Sequence, residues 1–216
     1  MGPLRWARDG EVTHMDLYII PGACSLAVNI ALREAGVRFD IRTVDGGTKR
    51  TDHDEDFCAI NAKGYVPALR LDNGEVLTEN AAILQFVADR YPAARLAPPA
   101  GTIERQRLVE WLGFINSEIH KGFSPLFDSG AGDQVRHYVQ GRLEKRLGWL
   151  QEQIGSKPFL IGGRFTVADA YLFTVLGWGA EVGVDIARWS NLPRYYANIE
   201  FRPAVRAALQ SEGLLQ

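Results

Sequence analysis

Apolar and polar positions at the start of the chain predict a strand, a helix and a second strand. The apolar run Leu-Tyr-Ile-Ile at 17–20 stops at a Pro-Gly pair, as a short buried strand does. Apolar residues then recur at helical spacing behind Ser25, a candidate N-terminal cap, and Gly36 supplies a C-terminal stop. The alternation at 39–44 predicts the second strand.

After a polar segment, the pattern predicts two short strands and a further helix. The segments 68–71 and 75–78 flank Asp-Asn-Gly at 72–74, and an Asn-Gly pair tolerates the positive φ of a tight hairpin turn. Ile83 and Val87 then mark the helix. This order predicts one open sheet covered by helices, with a parallel pair first and a hairpin last, which is a thioredoxin-like α/β arrangement.

The mixed strand and helix pattern ends at 96–101, where two prolines and a glycine interrupt helices and favour an extended linker. Beyond this point we find no convincing strand, and apolar stripes at helical spacing predict helices instead. The two stripes are Leu108, Trp111, Leu112, Ile115 and Ile119, and Val135, Val139, Leu143, Leu147, Leu150 and Ile154. We therefore predict an extension at 1–14, a sheet domain at 15–94, a linker at 95–104 and an all-helical domain at 105–216.

The segment Thr-Val-Ala-Asp at 166–169 is typical of the start of a helix. It is a variant of the capping box, in which Thr166 and Asp169 each satisfy backbone groups near the other. The run that follows, to Leu176, is apolar nearly all round, as in a helix at the centre of a bundle. This cap is expected to help the second domain to form rather than to perform chemistry.

Composition and charge exclude several classes of protein. Apolar residues make up 46% of the chain and charged residues 23%, which excludes disordered, collagen-like and membrane-embedded chains. The net charge of −2 gives no general attraction to nucleic acid or to an anionic membrane, so neither partner is expected. No apolar run approaches the ~20 residues of a membrane span, and residues 1–14 lack the apolar stretch of a secretory signal.

The two cysteines, Cys24 and Cys58, match neither a zinc site nor a disulfide framework, which favours a reducing, cytoplasmic setting without a metal. Cys24 follows a strand and a tight turn at the predicted start of a helix, where backbone N–H groups and the helix dipole stabilise a thiolate. We expect this thiol to be exposed and reactive, against the alternative of a small buried residue. Ala27 leaves it no resolving cysteine, so it would form a mixed disulfide with an external thiol. Cys58, between apolar neighbours, is predicted to lie in the core.

Two polar pairs are candidates for ligand binding. Glu79 and Asn80 precede a helix, where the helix N-terminus and the amide could hold a carboxylate and Glu79 an ammonium, or where they could be an ordinary cap. His120 and Lys121 end the first apolar stripe of the helical half. They could contact a ligand or only complement the helix dipole, and the sequence does not decide between these roles.

Val66-Pro67 opens the third predicted strand, where a proline removes one hydrogen-bond donor of the sheet. A cis peptide bond would explain a proline at this position. Because only about 5–6% of X-Pro bonds are cis, the dipeptide alone favours the ordinary trans bond.

Five segments together resemble the bacterial beta-class glutathione transferases, in the order expected for that family and from Met15 to the end of the chain. They are PGACSL at 21–26, NAKGYVPAL at 61–69, LTENAAI at 77–83, EIHKGF at 118–123 and FTVADAYL at 165–172. Each motif is weak alone, but five in order are specific. The resemblance implies a thioredoxin-like domain followed by an all-helical domain, a homodimer, and an active site between the domains with glutathione as co-substrate and no metal.

The resemblance also implies roles for single residues. By it, Cys24 contacts or covalently holds the glutathione sulfur, with His120 as the second catalytic residue. Val66 before a cis Pro67 is implied to be the backbone partner of the cysteinyl moiety. The remaining implied glutathione-binding residues are Glu79 and Asn80, as a clamp for the γ-glutamyl group, and Lys49, His120 and Lys121 around the pocket.

Four positions depart from the pattern of that family. Ala62 replaces a proline before Lys-Gly, and Asn80 stands where Gly or Ser is common. Ile19 occupies a strand position that often carries Tyr, and Gly113 replaces a frequent Asn. The backbone groups that the resemblance assigns to glutathione binding are retained, so glutathione binding is expected to survive. The four departures are expected to affect the affinity for glutathione and the preference for the second substrate.

The expected activity is conjugation of glutathione to a hydrophobic electrophile, as in detoxification, with Cys24-dependent thiol–disulfide exchange as a further mode. In conjugation Cys24 and His120 would only orient and polarise the glutathione sulfur, whereas exchange needs Cys24 as the nucleophile. Two alternatives stay open: a glutathione-dependent dehalogenase of aromatic breakdown products, and a non-catalytic protein that binds glutathione or hydrophobic ligands.

Overall fold

The structure is a computed structural model, and it describes residues 14–215. The extension predicted at 1–14 therefore lies outside the described residues, except for His14.

A four-stranded sheet forms the first part of the fold. Its strands are β1 (Met15–Ile19), β2 (Asp40–Thr43), β3 (Ala68–Leu71) and β4 (Val76–Thr78), in the order β2-β1-β3-β4. β1 pairs in parallel with β2, and β3 pairs antiparallel with both β1 and β4. Gly74 has a φ of +86° in the turn between β3 and β4, which a residue without a Cβ adopts without strain. The predicted parallel pair and hairpin are confirmed.

Three helices accompany this sheet: α1 (Leu26–Glu34), α2 (Phe57–Ile60) and α3 (Asn80–Arg90). α1 ends before Gly36, which has a φ of +69°, as predicted. Ser25 was predicted to cap α1, and this was wrong. Its buried hydroxyl donates instead to the Ile20 carbonyl at 3.3 Å, because the tight turn after β1 brings that carbonyl within reach.

The segment 45–66 contains α2, a single helical turn that the sequence did not predict. The side chain of Asp56 caps it by accepting the N–H of Cys58 at 2.9 Å, and Phe57 is its buried residue. Cys58 is exposed, so the prediction of a core position for it was wrong. A one-turn helix with Phe57 anchored in the core leaves the next side chain pointing outward, and so short an element has no apolar periodicity to detect.

The rest of the fold is helical, and no strand follows β4 within residues 14–215. The helices are α4 (Ile103–Phe114), which continues as a π-helical segment (Ile115–His120) and α5 (Lys121–Phe123), and then α6 (Asp133–Ile154), α7 (Val167–Gly177), α8 (Gly179–Val182), α9 (Asn191–Glu200) and α10 (Pro203–Ser211). Val135 was predicted to belong to the apolar stripe of α6 but is exposed, because it lies in the first turn, beyond the end of the core.

α7 is the central helix, and its residues 167–176 are all buried. The predicted capping box at its start is confirmed. Asp169 accepts the N–H and the hydroxyl of Thr166 at 2.8 and 2.9 Å, and also the N–H of Leu160 at 2.8 Å and the hydroxyl of Tyr195 at 2.7 Å.

One continuous hydrophobic core joins the sheet part to the helical part, because α1 packs against both α7 and α10. Among residues 14–215, no helix is both long enough and apolar enough to cross a membrane.

Candidate active site

A cavity of about 600 Å³ lies between the sheet and the helical part. Its walls come from the turn after β1, the segment before β3, the start of α3, the π-helical segment and α7. All the residues predicted for the site line this one cavity: Cys24, Lys49, Val66, Pro67, Glu79, Asn80, His120 and Lys121. The fold thus brings together side chains that lie nearly a hundred positions apart in sequence.

Cys24 lies in the turn between β1 and α1, and its Sγ donates a hydrogen bond to the Val66 carbonyl at 3.2 Å. Burial raises the pKa of this thiol to about 12. The backbone N–H groups of Cys24 and Ser25, and the charge of Lys121, act in the opposite direction but more weakly. The prediction of an exposed thiolate was therefore wrong, because the loss of water around the sulfur outweighs the helix N-terminus.

The Val66–Pro67 peptide bond is cis. The frequency of cis X-Pro bonds alone predicted a trans bond, which was wrong, whereas the family resemblance implied the cis bond. Both residues line the cavity. Within residues 14–215, the segment before β3 forms one hydrogen bond with the Cys24 side chain, and the Val66 carbonyl is the acceptor.

Glu79 and Asn80 lie where β4 passes into α3. Glu79 has a φ of +71°, an uncommon value for a residue with a side chain, and its carboxylate pairs with the Nζ of Lys63 at 2.5 Å. The amide nitrogen of Asn80 donates to the Cys24 carbonyl at 2.7 Å, so this side chain supports the cysteine turn rather than capping its own helix. The first N–H groups of α3 have no intrahelical acceptor, which leaves them available to an anion.

His120 is held from two sides. Its Nδ1 lies 2.6 Å from the Tyr171 hydroxyl, and that hydroxyl donates to the Oδ1 of Asn116 at 3.0 Å. The ring of Trp178 packs edge to face against it with centroids 4.9 Å apart. Burial, with Lys121 nearby, lowers the pKa of His120 to about 4, so the ring is neutral at neutral pH and does not serve as a cation at a helix end.

Among the cavity residues that the sequence reasoning missed, three polar ones are linked to the predicted site residues by hydrogen bonds. Asn116 and Tyr171 carry the hydrogen bonds to His120, and Lys63 neutralises Glu79. Asn116 precedes His120 by four positions, a helical spacing that could have indicated a shared face. Tyr171 was hidden in the apolar run of α7, where an aromatic residue reads as core.

Charged and apolar groups divide the cavity wall. The charged residues are Lys49, Lys63, Glu79, Lys121 and Glu181, three cations against two anions. Phe127 and Trp178 supply aromatic surface from the helical part. The indole N–H of Trp178 also donates to the Gly22 carbonyl at 2.8 Å, which ties this aromatic wall to the turn that carries Cys24. The arrangement suits a charged peptide-like ligand beside an apolar one.

Family models match both parts of the chain. Residues 22–90 match the glutathione S-transferase N-terminal domain, and residues 114–203 match the glutathione S-transferase C-terminal domain.

The chain is also similar to individual proteins over nearly its whole length. It is 42% identical over 200 residues to the glutathione S-transferase GstA of Escherichia coli O157:H7, which covers 93% of this chain and 100% of that protein. A solved structure of a beta-class glutathione S-transferase from Sphingomonas chungbukensis has a TM-score of 0.90 at 48% identity, covering 93% of this chain and 100% of the other. A sphingomonad glutathione S-transferase complexed with glutathione has a TM-score of 0.89 at 46% identity, with 92% and 99% covered.

The two matched domains, the shared fold and these identities lead to one conclusion. The chain belongs to the glutathione S-transferase family and is similar to the bacterial beta-class members of it.

Proposed function

We propose that the cavity between the two parts binds glutathione and an apolar electrophile side by side, and that the glutathione sulfur is the nucleophile. The observation that carries the proposal is that Cys24, the cis Val66–Pro67 bond, the start of α3 and His120 all border one cavity of about 600 Å³. A similar transferase has been solved with glutathione bound.

The sheet side of the cavity would hold glutathione along its length. Val66 would pair with the cysteinyl backbone through its own backbone. The free N–H groups at the start of α3, with Asn80, would bind the γ-glutamyl carboxylate, and Glu79 the ammonium group. Lys49 would supply positive charge for a carboxylate. Because Lys63 pairs with Glu79 in the glutathione-free protein, the ammonium of the ligand would share or replace that ion pair.

The conjugation step follows from the state of the two thiols. The glutathione thiol gives up its proton to a neutral base on the cavity wall, its sulfur forms a bond to the electrophilic carbon, and the leaving group departs with its bonding electrons. Cys24 remains a thiol at neutral pH, since its pKa is raised to about 12, and therefore orients the sulfur as a hydrogen-bond partner. Lys121, whose charge acts on both Cys24 and His120, would stabilise the thiolate.

Thiol–disulfide exchange is the second candidate, and it is favoured by the position of Cys24 on the cavity wall. A Cys24 thiolate would attack the glutathionyl sulfur of a mixed disulfide and release the other thiol. A second glutathione would then break the protein–glutathione bond and leave as glutathione disulfide. This mode requires bound glutathione to lower the pKa of Cys24, because the free protein keeps it protonated.

We also propose a homodimer in the cytoplasm, as the family resemblance implies. A group of touching aromatic rings, Trp111, Phe114 and Trp149, lies on α4 and α6, and Trp149 is exposed. Exposed aromatic surface of this kind is typical of subunit contacts. Both cysteines are free, which suits a reducing compartment. Sedimentation of the protein with Trp149→Glu should show a monomer if this face forms the dimer, and an unchanged dimer if it does not.

The function is tested with Cys24→Ala, with Cys58→Ser as the matched control. We expect conjugation of a chloronitroarene to fall less than about tenfold in Cys24→Ala, while reduction of a glutathione mixed disulfide is abolished. Loss of both activities with glutathione binding intact would show that conjugation also requires Cys24, and would overturn its role as a mere hydrogen-bond partner. Retention on a glutathione column without turnover of any electrophile would identify a binding protein instead.

A further inference from the structure

Asn116, Tyr171 and His120 form a chain of hydrogen bonds at the cavity wall. The amide oxygen of Asn116 can only accept, so the hydroxyl proton of Tyr171 is directed to it across 3.0 Å. A hydroxyl donates one hydrogen bond. The oxygen of Tyr171 must therefore accept from His120, whose Nδ1 lies 2.6 Å away.

We propose that Asn116 and Tyr171 are positioning residues that fix His120 in the tautomer with its proton on Nδ1, so that Nε2 accepts the thiol proton of glutathione. This inference rests on the proposed function for its ligand. The tautomer itself is set by hydrogen bonds within the protein, so it can be measured without any ligand.

The chain of bonds determines the tautomer only if both rings keep their ordinary protonation states. Burial raises the pKa of Tyr171, so its phenol is not ionised. The lowered pKa of His120 leaves one ring proton at neutral pH. Since Nδ1 carries that proton and is engaged with Tyr171, Nε2 is the ring nitrogen left with a lone pair, and His120 belongs to the cavity wall.

The surroundings hold the imidazole ring in one orientation. Asn116 and His120 belong to the same π-helical segment, a form of helix that is often found at functional sites. Tyr171 is fully buried in α7. Trp178 packs against the ring of His120, and its own N–H is fixed to the Gly22 carbonyl. A base oriented by a further group in this way has the geometry that activates a nucleophile.

The proton transfer balances without any further reactant. The S–H bond of glutathione breaks, an Nε2–H bond forms, and the products are a thiolate and an imidazolium. The new negative charge raises the pKa of the imidazolium beside it, which makes the transfer more favourable than the lowered pKa of His120 alone indicates. After the sulfur has bonded to the electrophile, Nε2 returns its proton to water.

The first test is ¹⁵N NMR of histidine-labelled protein at neutral pH without glutathione, with His120→Gln to assign the signals. We expect a protonated Nδ1 and an unprotonated Nε2 in the wild type, loss of that preference in Tyr171→Phe, and its retention in Asn116→Asp, which keeps an acceptor oxygen. An Nε2–H ring in the wild type would overturn the proposal, whether or not any variant folds. So would a tautomer that Tyr171→Phe leaves unchanged.

The second test is kinetic. Tyr171→Phe should lower kcat for conjugation by roughly tenfold to a hundredfold while the KM for glutathione stays within about twofold. Tyr196→Phe is the matched control and should leave kcat unchanged, because Tyr196 is a partly buried tyrosine stacked on Phe173 and outside the cavity wall. An equal loss of kcat in both variants would indicate a merely structural role and overturn the proposal. Absence of conjugation in the wild type would instead refute the proposed function and leave the NMR result standing.

Discussion

The carboxylate of Glu212 accepts the backbone N–H of Gly22 at 2.9 Å, which joins the chain after α10 to the turn that carries Cys24. Its other oxygen accepts from the amide of Asn29 at 2.9 Å, in the middle of α1. The carbonyl of Gly22 is held as well, by the indole of Trp178. The helical part of the protein therefore fixes both backbone polar groups of Gly22, and with them the position of the cysteine turn.

Removing this carboxylate should weaken both the fold and the site. Glu212→Ala leaves the N–H of Gly22 without its acceptor and removes one of the two acceptors of the Asn29 amide, the other being the Ser211 hydroxyl. We expect a loss of about 2–4 kcal/mol in the free energy of unfolding. The KM for glutathione should rise as well. Urea unfolding and steady-state kinetics measure the two effects. Glu104→Ala, at an exposed position in the first turn of α4, is the control, and an equally stable Glu212→Ala protein would contradict this account.

Asp169 has a larger structural role than an ordinary cap. Because it accepts four hydrogen bonds in the core, Asp169→Ala should cost at least about 3 kcal/mol and lower the yield of folded protein. Asp133→Ala, in the exposed first turn of α6, should change stability by less than about 1 kcal/mol. Thermal unfolding of both variants makes the comparison. Similar melting temperatures would show that the Asp169 network contributes little.

The two thiols should differ in reactivity, in the opposite order from the sequence prediction. Cys58 is exposed, whereas burial raises the pKa of Cys24 to about 12. We expect iodoacetamide to modify Cys58 at least about tenfold faster than Cys24 at pH 7. Mass spectrometry of the single-cysteine variants Cys24→Ser and Cys58→Ser gives the two rates. Faster modification at Cys24 would mean that a thiolate exists there without glutathione.

His120 should make the protein sensitive to mild acid. Its pKa is lowered from the ordinary 6.5 to about 4 in the folded state, so between these values the unfolded chain binds the proton more readily than the folded one. Its contribution to stability is complete above pH 6.5 and is lost as the pH falls toward 4. Compared with His120→Gln, the wild type should lose on the order of 2 kcal/mol more over this range, measured by urea unfolding. Parallel pH curves for the two proteins would show that the ring is not held neutral.

Much of the fold could be predicted because its signals are local and periodic. Leu143, Leu147 and Leu150 repeat at helical spacing, and the turn at 72–74 has the residues of a tight hairpin. α2 could not be predicted, since one helical turn has no period.

The eight residues that the sequence singled out line one cavity, but the protonation states of Cys24 and His120 could not be predicted from the sequence. Its motifs place Cys24 and His120 in one cavity, but the pKa of each depends on how much water the helical part excludes. Tyr171 approaches His120 from a distant helix, and no spacing along the chain indicates that contact. A hydrogen bond between two segments that are distant in sequence forms only when the chain folds, so its donor and acceptor cannot be predicted from the sequence.

We propose that this cavity ionises the glutathione thiol without any thiolate at Cys24. The most direct test is the ultraviolet thiolate absorbance that appears when glutathione is added to the double variant Cys24→Ala/Cys58→Ser, which has no thiol of its own. We predict a thiolate band at pH 7 that saturates at one glutathione per chain. A band that appears only near pH 8.5, where an ordinary thiol ionises, would contradict the claim.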